Sequence, residues 1–163
     1  LFGCLTGLAF SDIMSLKPVH LKHTSDQNVM IKKERCKTGE LIEMMLTSFA
    51  KKIVEKYLTY PEKRADGAIF PGRSLNACNY HDRIIADKLG ITTKVTTHIA
   101  RHTFRQLLAE AGISDFGVIK RMMGQSRRGD IDEVYYEITE SRLLDAKTKF
   151  EIYLNLHLDN KYR

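Results

Sequence analysis

The chain has 163 residues, 43% of them apolar, and 26 Lys and Arg against 20 Asp and Glu give it a formal charge of +6. That length and apolar content suit one folded domain with a sizeable core, and they exclude a disordered tail. No apolar run approaches the ~18 residues of a spanning helix, and the three cysteines, Cys4, Cys36 and Cys78, form neither a C-x-x-C pair nor a disulfide framework.

The opening LFGCLTGLAFSDIMSL places Leu1, Leu5, Leu8, Ile13 and Leu16 at a roughly helical spacing. Gly7 softens that helix, Ser11 and Asp12 are candidate caps for a second helical segment, and Pro18 stops it. In NVMIKKERCKTGELIEMML, Val29 and Ile31 alternate with polar neighbours, as do Ile42 and Met44 beyond KTG, which predicts a β-hairpin around Gly39. TSFAKKIVEKYLTY carries Phe49, Ile53, Tyr57 and Tyr60 on one helical face, with Thr47 or Ser48 as the cap. PEKRADGAIFPG reads as a loop, and a helix follows from Ser74 to about Leu89, ended by Gly90. The next helix is capped by Thr97 and runs to about Ala111, with Phe104, Leu107, Leu108 and Ala111 as its apolar stripe. A shorter helix covers about Ser114 to Met123 and closes at Gly124. IDEVYYEIT suggests a short helix and SRLLDAKTKFEIYLNLHL a longer final one. The predicted fold is mainly α with a small antiparallel β-sheet, in a single domain over residues 1–163.

The helix beginning THIARHTFR poses a chemical question. His98, Arg101, His102 and Arg105 fall at i, i+3, i+4 and i+7, so they are expected to share a face turned away from the apolar stripe. Groups able to carry positive charge repel one another there, and the helix start favours anions over cations. A phosphate would relieve the conflict, because free N–H groups and a guanidinium can share its oxygens. The alternatives are a solvated basic face or a metal held by His98 and His102. The second lacks the Glu of H-E-x-x-H and a third ligand nearby. The net positive charge also favours a polyanionic partner, DNA or RNA.

The order of these motifs resembles the catalytic domain of the tyrosine recombinases, the phage-integrase family. CLTGLAFSDIMSL is similar to its T-G-[LM]-R-x-x-[DE]-[LI]-x-x-L helix and RCKTGE to its lysine-bearing hairpin turn. The run from Ile69 to HIARHTF is similar to the approach to its H-x-x-R box, in the style of Bacteroides-type mobile-element integrases. The resemblance extends from Leu1 to about Asp145. It implies that Arg101 grips the scissile phosphate, a task suited to a planar fork, and that His98 contacts the phosphate and shuttles a proton. It also implies that Lys37 protonates the leaving 5′ oxygen and that Asp12 supports the site from behind. VYYEIT aligns with I-Y-A-K-[IV]-T, making Tyr135 the nucleophile with Tyr136 as its rival. His102 is expected to pack internally in a supporting role. Arg105, Arg127 and Arg128 are expected to contact the DNA backbone.

Two departures stand out. The family usually carries Arg where this chain has Ala9, and Gln125 replaces a His or Trp in RMMGQS. An amide donates a hydrogen bond but does not titrate. A compensating cation is expected from Arg105, Lys17, Arg35 or a segment upstream. The resemblance implies a double-stranded DNA partner, a homotetramer on DNA and a monomer when free, with no cofactor or metal, because the covalent link stores the bond energy. It further implies a bacterial, cytoplasmic protein that is nucleoid-associated when bound. The chain is expected to be a fragment, lacking an N-terminal core-binding domain and the first part of the catalytic domain. The final helix, with Leu143, Leu144, Phe150, Ile152, Leu154 and Leu156, is expected either to pack in cis or to dock on a neighbouring protomer.

Overall fold

The computed structural model describes residues 1–24, 26–62, 64–126 and 137–162, with side chains described to residue 158. The first expected helix is two, α1 (Phe2–Thr6) and α2 (Phe10–Met14). Gly7 does more than soften it: its φ of 63° turns the chain out of helix and ends α1. The cap of α2 is Ala9 rather than Ser11 or Asp12, and the side chain of Ala9 makes no cap hydrogen bond. Past Lys17, residues Pro18–His20 form one 3-10 turn, with His20 Nδ1 accepting from the Lys17 N–H at 3.0 Å.

The expected hairpin is present as β2 (Val29–Glu34) and β3 (Leu41–Met45), preceded by a short β1 (Leu21–His23) that the sequence pattern does not signal. The strands lie antiparallel in the order β1-β2-β3, with Ile31 opposite Met44 and Lys33 opposite Ile42. Gly39 stands in the turn at φ 72°, and Arg35 N–H donates to Glu40 O at 2.8 Å to close it. Alternation along β2 sends Val29, Ile31 and Lys33 inward, so an ammonium occupies an inward register position.

Helix α3 (Ser48–Leu58) is capped by Thr47, whose hydroxyl accepts from Ala50 N–H at 3.4 Å. Its most buried face is Ala50 and Val54, one step round from the predicted stripe, while Phe49, Ile53 and Tyr57 are partly buried and Tyr60 lies exposed past the end. Helix α4 (Leu75–Lys88) is capped by Ser74. Helix α5 (Thr97–Glu110) follows. The residue at its cap position is Thr96, not Thr97, and the Thr97 N–H is met instead by Asn79 Oδ1 of α4 at 2.9 Å. Helix α6 (Phe116–Met123) is capped by Asp115 and ends at Gly124, and α7 spans Glu140–Tyr162.

One apolar cluster joins the sheet and the helices other than α4. Phe104 of α5 and Phe150 of α7 are fully buried and meet edge-on at 5.7 Å, and α6 and α7 both cover β3. Phe70 links α1 to α3 through Phe2 and Tyr57 at 4.9 and 5.1 Å. In the final helix Leu143, Phe150 and Leu154 pack in cis, whereas Ile152 and Leu156 are exposed. None of the helices among the described residues is long and apolar enough to cross a membrane.

Candidate active site

The side chains of THIARH do not share one face. Relative to Phe104, position 101 lies roughly 60° round the helix and position 102 roughly 160°. Arg101 therefore joins Phe104 and Leu108 on the buried side, at 8% exposure, while His98 and His102 are exposed. The expectation that all four groups turn away from the stripe fails for Arg101. Its guanidinium is held by protein carbonyls: Nη1 donates to Gly7 O at 2.6 Å and Nη2 to Met123 O at 2.7 Å. These bonds reach to the end of α1 and the end of α6, and they set the plane of the fork. An arginine has five N–H donors, so others remain for an oxygen ligand. Burial works against the charged form of Arg101 and the positive Arg35 adds to that, while Asp12 opposes both. Arginine keeps its proton through shifts of this kind.

Asp12 is fully buried on α2. Its Oδ1 accepts from Lys33 Nζ at 3.2 Å and from the Cys36 N–H at 2.8 Å. Its Oδ2 faces Arg35 Nε at 3.8 Å, too far for a hydrogen bond. One carboxylate thus ties α2 to the β2–β3 turn. Lys33 Nζ also donates to Glu34 O at 2.8 Å, and Arg35 Nη1 donates to Gly124 O at 3.3 Å. Position 33 is a site residue that motif reasoning missed. A signal was available, since a lysine at an inward register position between apolar neighbours requires a buried partner.

Lys37 is exposed, one residue beyond the anchored Cys36. Gln125 is exposed two residues beyond Met123, and its backbone N–H closes α6 on Lys120 O at 2.8 Å. His102 does not pack internally as expected. Its ring meets that of His98 at 4.8 Å, nearly perpendicular, on the solvent side. Among the described residues no group of three or more His, Cys, Asp or Glu is placed to hold a metal ion. Arg105 lays its guanidinium over Phe116, 5.2 Å from the ring centre. Tyr135, Tyr136, Arg127 and Arg128 lie outside the described residues. The structure brings together Arg101, Asp12, Lys33 and Arg35, with Lys37 and Gln125 adjoining in sequence.

Comparisons with known proteins bear on the family and the fold. The chain matches the Phage integrase family over residues 2–142. A stretch of 66 residues is 39% identical to the integrase of Staphylococcus phage L54a, taking in 40% of this chain but only 18% of that protein. In structure the chain is similar to the XerH site-specific recombinase bound to its difH substrate in a pre-cleavage complex, with a TM-score of 0.61 and 18% identity over 88% of this chain and 43% of that one. It is also similar to the Tn1549 transposon integrase in complex with circular intermediate DNA, with a TM-score of 0.58 and 15% identity over 88% of this chain and 54% of that one. At these identities the structural likeness is one of fold, a helical domain carrying a three-stranded antiparallel sheet. The family match takes in most of the chain, including the hairpin, the HIARH box and the buried Arg101, and on that ground the chain belongs to the phage integrase family, the tyrosine recombinases.

Proposed function

We propose that this chain is the catalytic domain of a site-specific DNA recombinase that cleaves and rejoins DNA through a 3′-phosphotyrosine. The observation that carries the reading is Arg101, a buried guanidinium held by carbonyls from two distant helix ends and so preorganised for an oxyanion. The phenol oxygen of Tyr135 attacks the scissile phosphorus, the bond from phosphorus to the 5′ oxygen breaks, and a 5′-hydroxyl leaves. The phenolic proton passes toward His98, and Lys37 Nζ supplies a proton to the leaving oxygen. Rejoining is the reverse: a 5′-hydroxyl attacks the phosphotyrosine and the phenol is released. Because one ester replaces another, neither ATP nor a metal enters the balance. A free phenol has a pKa near ~10, so the surrounding cations both ease its ionisation and stabilise charge on the five-coordinate phosphorus.

Double-stranded DNA is the partner in this reading. Arg105, Arg127 and Arg128 contact its backbone, four copies assemble on two duplexes, and the free chain is a monomer in a bacterial cytoplasm. The test uses nicked duplexes with randomised flanks, from which covalent protein–DNA adducts are recovered under denaturing conditions. Wild-type protein is expected to form an adduct that Tyr135→Phe abolishes while DNA binding is retained. An adduct that persists in Tyr135→Phe and vanishes in Tyr136→Phe moves the nucleophile by one residue. Ala9 and Gln125, standing at usual catalytic positions, support a second reading: a catalytically impaired DNA-binding relic of a mobile-element integrase. Binding of DNA with no adduct from any flank would favour it.

A further inference from the structure

The arginine that the family usually carries is absent at Ala9, and the fold shows which cation stands beside Arg101 in its place. We propose that Arg35 is a catalytic residue, the second guanidinium of the phosphate site, reaching in from the hairpin rather than from the start of α2. This inference rests on the phosphodiester reading above and names one more group at the same site.

The geometry singles out Arg35 among the cations that the sequence left open. Arg105 is engaged over the exposed ring of Phe116, and Lys17 lies exposed at the 3-10 turn. Arg35 binds the carbonyl of Gly124, the residue immediately after Met123, whose carbonyl holds Arg101. The two guanidinium groups are thus hung from adjacent peptides, and their charges are close enough for Arg35 to act on the titration of Arg101. The other end of the site is set by Asp12, three residues past Ala9 on α2 and 3.8 Å from Arg35 Nε.

Charge and hydrogen bonding point the same way. Lys33, Arg35 and Arg101 surround a single carboxylate, Asp12, which Lys33 and the Cys36 N–H already engage through Oδ1. The cluster is short of negative charge. Arg35 Nε and Asp12 Oδ2 are both buried, and neither has a hydrogen-bond partner among the described residues. Arg35 has therefore not collapsed onto the nearest acid. It is held by one long bond to a carbonyl, with most of its five donors uncommitted. An oxyanion between the two guanidinium planes would satisfy those donors and balance the charge at once. Arg35 makes and breaks no covalent bond. It binds a non-bridging oxygen and stabilises the charge that develops there.

The experiment compares wild type and Arg35→Ala on nicked duplexes whose scissile link is either an ordinary phosphodiester or a methylphosphonate, in which a neutral methyl replaces one non-bridging oxygen. Arg35→Ala is expected to slow adduct formation by ~10²–10³-fold on the phosphodiester, with DNA binding retained. On the methylphosphonate the gap is expected to shrink below about tenfold, because the charge that Arg35 balances is gone. A loss within about threefold on the phosphodiester, or an equal loss on both substrates, overturns the assignment. Arg35→Gln removes the charge but keeps a polar stem, and it takes the place of Arg35→Ala, under the same criteria, if that protein does not fold. If wild type forms no adduct, the strand-transfer reading fails and inorganic phosphate titrated by calorimetry decides the role of Arg35. Weakening of about tenfold or more in both Arg35→Ala and Arg101→Ala keeps the two-guanidinium site. Unchanged affinity in Arg35→Ala removes Arg35 from it.

Discussion

Gly7→Ala tests how tightly the Arg101 anchor is built. Gly7 has φ +63°, and a Cβ there would stand 2.2 Å from Phe104 Cδ1 and 2.7 Å from Cε1. The ring cannot readily move aside, because Phe104 is fully buried and packs edge-on against Phe150. Gly112 is the control. It also follows a helix, α5, at φ +75°, but a Cβ there meets nothing within 4 Å. Left-handed backbone at a non-glycine residue costs about 1–2 kcal/mol, and both variants bear it. Overpacking adds about 1–3 kcal/mol at Gly7 alone. In a chain of this length each kcal/mol lowers Tm by roughly 2–4 °C. Urea unfolding, read alongside thermal melts, is expected to show Gly7→Ala less stable than Gly112→Ala by at least about 1 kcal/mol. The Gly7 carbonyl also accepts from Arg101, so adduct formation should fall with stability in Gly7→Ala and not in Gly112→Ala. Equal destabilisation of the two variants would refute the steric argument.

Other consequences follow from particular contacts. Asp12→Asn strands Lys33, whose side chain is 4% exposed, and is expected to cost about 3–5 kcal/mol in urea unfolding; a loss under about 1 kcal/mol would contradict the buried pairing. Glu151 of α7 accepts the Ser48 N–H at the start of α3 through both oxygens, at 2.9 and 3.1 Å. Burial pushes its pKa up, but Ser48 and Lys147 outweigh that and hold it below the ordinary value. A depressed carboxylate stabilises the fold above its unfolded pKa near ~4.3 and loses that contribution as pH falls through the lower folded value. Glu151→Gln should therefore cost about 0.5–1.5 kcal/mol at neutral pH, and the difference from wild type should vanish in acid; a pH-independent difference would point to packing instead. Arg127→Ala and Arg128→Ala should each reduce the slope of log affinity against log salt by ~0.9 when DNA binding is titrated, and an unaltered slope would place those side chains away from the phosphates.

Much of the architecture is legible in residue patterns because local rules govern it. Alternation at Val29, Ile31, Ile42 and Met44 marks β2 and β3, and Ser74, Gly90 and Gly124 mark helix ends near where they occur. Where the pattern misleads, a tertiary contact has overridden a local preference. The opening helix breaks at Gly7, where the chain turns close over the Phe104 ring. Strand β1 has only Leu21 as an apolar residue, and it exists because β2 supplies its hydrogen-bonding edge. The four polar groups of HIARHTFR look alike at helical spacing, yet only Arg101 turns inward. That choice depends on acceptors outside the helix, since a buried guanidinium persists only where carbonyls receive its N–H groups.

By itself, the sequence determined the β2–β3 hairpin and the order of the helices from α3 to α7, the family-like motifs with Arg101 among them, and the departures at Ala9 and Gln125. Tertiary structure alone decided which groups meet. Arg101 is bonded to a carbonyl 94 positions away and Arg35 to one 89 positions away, separations over which no local pattern carries information. Lys17, Arg35 and Arg105 are equivalent as letters. They differ because folding brings the hairpin, rather than either of the other two sites, up to the buried carboxylate and the end of α6, where a second positive charge is stable only if an anion shares the space.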